Sequence, residues 1–117
     1  MFLAWDNDRQ KWITKDVVIT SDGIYKDYRD YLDGIATKEV VILKNVGIPD
    51  KNNKQVYEEY IVHHEFYGQL IVKWLTEQAY FYLHDPHYSD PYEEGEHHTA
   101  ELIRECEVIG NTFEGIY

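Results

Sequence analysis

Histidine is the residue whose number and spacing most invite a chemical function in this sequence. Six histidines occur in 117 residues. They fall into three close pairs: His63 and His64, His84 and His87, and His97 and His98. Imidazole binds zinc, copper and nickel, and nearby carboxylates can complete the ligand shell. The candidate metal ligands are therefore His84, His87, His97 and His98. One member of each adjacent pair could converge with His84 or His87 if the loop over residues 84–98 folds back.

The histidine spacing matches no established zinc motif. His63-His64-Glu65 is not a His-Glu-x-x-His sequence, and adjacent histidines on a strand point to opposite faces. We therefore expect solvated or hydrogen-bonded histidines, with neither a metal site nor a cofactor. A metal-dependent hydrolase that uses clustered His and Glu is the alternative that this pattern leaves open.

Acidic residues outnumber basic ones by 22 to 11, for a formal charge of −11. Eight of the acids lie in residues 85–107, opposed by Arg104 alone. A negative field of this size repels nucleic-acid phosphates and anionic membranes, so we expect neither as a partner. It favours a basic protein partner, and a spaced carboxylate array could also imitate DNA phosphates to inhibit a basic protein. Trp5, Trp12 and Trp74 could stack on bases, but no basic groove accompanies them.

Nucleophilic catalysis has little support in the sequence. Cys106 is the single cysteine, which excludes an intrachain disulfide and agrees with a reducing compartment. It lies between Glu105 and Glu107, which disfavour a thiolate, in an apolar alternation typical of a core strand. No Gly-rich phosphate loop, serine elbow or dinucleotide fingerprint occurs. We therefore expect a protein without catalytic activity, and the lack of a signal peptide or an 18-residue apolar run favours the cytoplasm.

The elements that would position these residues are mostly strands. The length favours one domain over residues 1–117. Residues 2–5, 12–14 and 17–19 predict short strands, with the first two forming a hairpin. Apolar and tyrosine residues spaced on one helix face predict a helix near residues 24–33, and a β-branched run predicts a buried strand over 39–43.

The second half of the chain reads as a series of strands between tight turns. Alternation predicts a strand over residues 56–66, with Phe66 on the same face as Val62. Further strands are expected over 70–75 and 79–83, with a long loop over 84–98 and a helical turn or strand over 99–104. A last strand is expected around Cys106 and Val108, before a turn at Gly110-Asn111. The predicted fold is mainly β to α+β. A small antiparallel meander or SH3-like barrel would form from about residue 39 onward, with an N-terminal β/α extension.

Three separated motifs together resemble a known family. They are Ala4-Trp5-Asp6, the turn-rich segment over residues 47–58, and Glu107-Val108-Ile109-Gly110-Asn111. In this order and spacing the chain resembles the YopX-like family of small phage and prophage proteins. Its members carry a Gly-Leu-Lys-Asp-Lys-Asn-Gly-Lys-type turn before Tyr-Glu-Gly-Asp-Ile-Val. This chain departs from that pattern at Asn53, where the family usually has glycine, and at Glu59-Tyr60, where the family has Gly-Asp.

The resemblance implies a phage-encoded protein but no catalytic residues, because the family has no established activity. Together with the acidity it predicts an accessory protein that acts by protein binding in the host cytoplasm. Tyrosine-rich strands and sheet edges also suit contacts between copies of the chain, so a homo-oligomer is a further expectation.

Overall fold

The computed structural model describes residues 2–13, 18–20, 23–25, 40–86 and 97–117. Strands dominate these residues, which confirms a mainly β fold. The chain divides into two compact units, Met1–Lys44 and Asn45–Tyr117. No helix in the described ranges is long and apolar enough to cross a membrane.

The first unit contains an antiparallel sheet with a short hairpin at its start. Strand β1, Phe2–Asp6, pairs with β2, Lys11–Trp12, and this confirms the predicted N-terminal hairpin. Trp5 is only 2% exposed and its ring meets the ring of Trp12 edge to face, at 4.8 Å and 75°. The Trp5 ring therefore belongs to the core, which is a second reason, beside the missing basic groove, why it is not a base-stacking residue.

Two further expectations for the first unit change. Val18–Thr20 and Gly23–Tyr25 pair as strands β3 and β4, so the predicted helix cannot begin at Ile24. The rest of that prediction, residues 26–33, lies outside the described residues. The strand predicted at 39–43 is present as β5, Val40–Lys44, but it pairs with β1. It therefore belongs to the N-terminal sheet, and the meander cannot begin near residue 39.

The second unit is built on one antiparallel sheet. In the part of the unit that the structure describes, the strand order is β11-β10-β6-β7-β8-β9. The strands are β6 (Tyr60–His64), β7 (Gly68–Leu75), β8 (Tyr80–His84), β9 (His97–Thr99), β10 (Glu107–Asn111) and β11 (Gly115–Ile116). The end strands β11 and β9 are not paired with each other, so over these residues the sheet stays open and does not close into the SH3-like barrel.

One face of this sheet forms the core. Val62 lies opposite Leu70, and Val72 lies opposite Leu83, so alternate residues of neighbouring strands meet on the same side. All four are fully buried, as are Ile103 and Cys106 in and just after the 3₁₀ helix Ala100–Glu105. That helix realises the helical turn expected over residues 99–104.

The turn-rich segment before β6 is fastened to β10 by one buried carboxylate. Oδ1 of Asp50 accepts hydrogen bonds from the backbone N–H groups of Asn52 and Lys54, at 2.9 and 2.8 Å. Its Oδ2 accepts another from the backbone N–H of Val108, at 3.0 Å. Asp50 therefore joins positions 58 residues apart, and its role is architectural.

Candidate interaction surface

The histidines singled out as metal ligands do not form a metal-binding cluster in the described residues. His84 ends β8 and lies opposite His97 of β9, while Leu83 lies opposite His98. His87 lies outside the described residues. No group of three or more His, Cys, Asp or Glu residues in the described ranges could hold a metal ion. The buried Nδ1 of His84 has no hydrogen-bond partner, and we have no physical account of it.

The ends of the predicted long loop at 84–98 are strand residues. His84 belongs to β8, and His97 and His98 belong to β9, so the two ends of the segment pair with each other. Of the eight acids in residues 85–107, the structure describes Asp85, Glu101, Glu105 and Glu107. Glu101 pairs with Arg104 across the 3₁₀ helix at 3.2 Å.

Cys106 is a core residue, as its sequence context predicts. Its thiol donates a hydrogen bond to the carbonyl oxygen of Leu102, at 3.3 Å, and its side chain is fully buried. Burial, with a smaller effect of the Glu105 charge, raises the pKa of the Cys106 thiol to about 11. A thiol in this state is a poor nucleophile at neutral pH.

His64, which the metal hypothesis did not use, organises the turn between β6 and β7. Its Nδ1 accepts hydrogen bonds from the backbone N–H groups of Phe66 and Tyr67, at 3.0 and 3.2 Å. Gly68 follows with a φ of +77°, which glycine adopts without strain. The result is a three-residue hairpin loop, Glu65-Phe66-Tyr67, which we call the aromatic tip.

The aromatic tip exposes apolar area, and one of its two aromatic rings packs against neighbouring histidine rings. The ring of Tyr67 lies 4.9 Å from that of His64 and 4.2 Å from that of His98. Tyr67 is still 42% exposed, and Phe66, which meets its ring edge to face, is 83% exposed. The prediction that Phe66 continues the strand beside Val62 is therefore wrong, because β6 ends at His64. Gly68 was the sequence signal for a turn at this point.

Carboxylates surround this tip. Glu65 is exposed within it, and the largely exposed Glu105 places Oε1 at 3.5 Å from Nε2 of His64. The rings of His64 and His98, the exposed rings of Phe66 and Tyr67, and the carboxylates of Glu65 and Glu105 thus lie at or beside this hairpin end. The arrangement presents apolar contact area beside two carboxylates.

A half-buried ion pair lies at the other end of β6. Nζ of Lys73 lies 2.8 and 3.1 Å from the two carboxylate oxygens of Glu59. Thr112 donates its hydroxyl hydrogen to Oε2 of Glu59 at 2.9 Å, and its backbone N–H to the Glu59 carbonyl at 2.8 Å. Glu59 itself has a φ of +66°, and Asn53 has a φ of +63°. Both positions at which the chain departs from glycine therefore keep a left-handed backbone.

Comparison with known proteins places the chain by family. A family model described as YopX protein matches residues 1–115. No curated protein matches the chain significantly. The match covers nearly the whole sequence, so it confirms the resemblance drawn from the three motifs. The chain belongs to the YopX protein family.

Proposed function

We propose that this protein works by binding a basic partner protein through the aromatic tip, without catalysing a reaction. The observation that carries the proposal is the exposure of Phe66, 83% open to solvent on a turn that hydrogen bonds hold in place. Phenylalanine is among the residue types most often found fully buried in folded proteins.

The tip is suited to binding because its shape is already set. Burying a phenylalanine side chain contributes about 1.5–3 kcal/mol relative to leaving it exposed. The two hydrogen bonds to His64 and the ring contacts of Tyr67 restrict the turn before any partner arrives. A partner would therefore gain the apolar contact with a smaller ordering cost than a flexible loop would impose.

The charge of the chain supports a basic partner. Glu65 and Glu105 lie at the tip, and the whole chain carries a formal charge of −11. A partner with an apolar pocket and a rim of Lys or Arg matches both features, whereas a second copy of the chain would bring the same negative charge. The association rate should fall as salt screens the attraction.

A comparative capture experiment tests this proposal. Immobilised wild-type protein and the variants Phe66→Ser and Tyr80→Ser would be exposed to host-cell lysate at low and high salt. Tyr80 is the matched control, because it is an exposed aromatic residue on β8, 37% open to solvent. We expect one basic protein to be retained by the wild type and by Tyr80→Ser, to be lost with Phe66→Ser, and to be released by salt.

Three results would count against the proposal. Retention that is equal for Phe66→Ser and the wild type would remove the tip from the interaction. An acidic partner would contradict the charge argument. Association of the purified protein with itself through Phe66 would instead make a second copy the occupant.

The proposal includes the biological setting implied by the family resemblance. A phage or prophage accessory protein of this kind would meet its partner in the host cytoplasm. An alternative is an acidic inhibitor that imitates DNA, in which the carboxylates, and not the aromatic tip, bind the basic partner. Insensitivity of partner capture to Phe66→Ser, combined with full sensitivity to salt, would favour that form.

A further inference from the structure

His64 accepts backbone hydrogen bonds within its turn, a role that side-chain oxygen atoms have in three other turns of the described residues. Oδ1 of Asp6 accepts backbone hydrogen bonds from the second and third residues after it, and Oδ1 of Asn111 does the same. Oδ1 of Asp50 accepts from the second and fourth. At the aromatic tip the acceptor is Nδ1 of His64, which binds the N–H groups two and three residues ahead.

The difference matters because a ring nitrogen can be an acceptor or a donor. Nδ1 can accept the two hydrogen bonds only when it carries no proton, so the neutral ring must hold its proton on Nε2. Nε2 faces Oε1 of Glu105 at 3.5 Å, which suits a nitrogen that carries a proton. A second proton on the ring would turn Nδ1 into a donor facing two other donors.

We propose that His64 makes the aromatic tip a pH-sensitive turn, ordered while its imidazole is neutral and loosened when Nδ1 is protonated. The side-chain oxygens of Asp6, Asp50 and Asn111 differ from Nδ1, because a carboxyl or amide oxygen retains an acceptor lone pair whether or not its group is protonated. The β6–β7 turn alone among these four would therefore change.

Several titratable groups surround the ring. In the described residues, Glu105 faces it from the 3₁₀ helix and Tyr67 from the tip. His98 of β9 contacts the ring of Tyr67. His63 and Glu65 adjoin it in sequence, and Glu107 of β10 lies opposite His63. Protonation of His98 would add positive charge near Tyr67, so the test has to separate His98 from His64.

The test is a pH titration of the full chain followed by NMR. Imidazole nitrogen shifts report which ring nitrogen of His64 carries the proton, and amide exchange reports the Phe66 and Tyr67 hydrogen bonds. At high pH we expect the tautomer with the proton on Nε2 and protected Phe66 and Tyr67 amides. As the His64 ring takes up its second proton, we expect these two amides to exchange about tenfold faster than intrinsic pH effects require.

His64→Asn is the decisive variant. Oδ1 of asparagine is the same number of bonds from the backbone as Nδ1 of histidine, and Asn111 already performs this role in the β10–β11 turn. We expect the Phe66 and Tyr67 amides to stay protected at all pH values in His64→Asn. They should keep the wild-type response in His63→Asn, which alters the exposed neighbour, and in His98→Asn.

The proposal is overturned if neutral His64 carries its proton on Nδ1, or if the two amides do not respond to pH in the wild type. It is also overturned if they still respond in His64→Asn. If His64→Asn does not fold, the tautomer and amide measurements on the wild type decide alone. The inference stands on turn geometry and does not depend on a binding partner, so it can fail or hold independently of the proposed function.

Discussion

Asn53 and Glu59 are the two departures from the glycine-containing pattern on which the family resemblance was drawn, and both have a backbone conformation that favours glycine. Their φ values, +63° and +66°, lie in the left-handed region, which costs an ordinary residue about 1–2 kcal/mol. Asparagine tolerates this region well, but glutamate does not. The cost of the left-handed backbone at Glu59 is offset by the contacts of its side chain with Lys73 and Thr112. The departure of the sequence was visible without the structure, but the compensating contacts, which come from distant strands, were not.

Two substitutions at Glu59 separate the backbone effect from the side-chain effect. Glu59→Gly and Glu59→Ala both remove the contacts with Lys73 and Thr112, but only glycine relieves the left-handed φ. We expect Glu59→Gly to be more stable to denaturant than Glu59→Ala by about 1 kcal/mol. At Glu58, where φ is not positive, alanine should be at least as stable as glycine. Greater stability of Glu59→Ala would contradict the assigned backbone.

Cys106 provides a second prediction at this scale. Its pKa is raised to about 11 from 9.0 by burial, so the folded state prefers the thiol. The buried thiol therefore contributes fully to stability below its unfolded-state pKa, and this contribution is lost as the pH rises through its folded-state pKa. We expect alkylation by iodoacetamide at pH 8 to be on the order of a hundredfold slower in native than in denatured protein. Equal rates would show that the side chain is accessible.

At the scale of elements, local sequence patterns predicted the positions of strands better than the pairing between strands. Residues 70–75 lie within β7, and the strand predicted over 79–83 is present one residue later as β8, Tyr80–His84, because alternation and turn residues mark those strands. The β-branched run at β5 was equally clear, yet its pairing with β1 depends on a match between residues about 40 positions apart. Alternation predicted that Phe66 is a strand residue, because an alternating pattern of apolar residues can continue past the end of a strand into a turn. The aromatic tip was therefore missed, although Gly68 marked its end.

Gly110 shows why the last family motif contains glycine. A Cβ at this position would lie 2.2 Å from the carbonyl oxygen of Gly115 and 2.8 Å from Cα of Ile116. Strand β11 therefore packs directly against the Gly110 backbone. We expect Gly110→Ala to destabilise the protein by roughly 2–3 kcal/mol and to expose the amides of β11 to hydrogen exchange.

Gly47→Ala is the matched control for Gly110→Ala. Its φ is +86°, but a Cβ there would meet no atom within 4 Å, so only backbone strain opposes the change. We expect a smaller loss of about 1 kcal/mol, with β11 still protected. If the two variants lose the same stability and both leave β11 protected, the close approach at Gly110 has no energetic consequence.

At the scale of the whole molecule, composition indicated solubility and partner charge but not the position of a site. The sequence directed attention to the histidines of residues 84–98, because residue type alone cannot show which side chains converge. The structure brings the rings of His64 and His98 each to the ring of Tyr67, and places His84 opposite His97. These contacts depend on the order of strands in the sheet.

Metal analysis and chelation of the intact protein test the metal hypothesis. We expect protein purified without an affinity tag to contain far less than one equivalent of zinc, copper, nickel or iron. A chelator should leave its thermal unfolding unchanged, because the described histidines lack a third ligand. Stoichiometric metal together with a lower unfolding temperature after chelation would instead establish a metal site.

Site-specific photocrosslinking tests the central claim, partner binding through the aromatic tip, most directly. Phe66 would be replaced by p-benzoylphenylalanine, with the same replacement at Tyr80 as the control, and both proteins irradiated in host cells. We predict a covalent adduct to one basic protein from position 66 and none to that protein from position 80. Adducts of the same kind from both positions, or no adduct from position 66, would contradict the account.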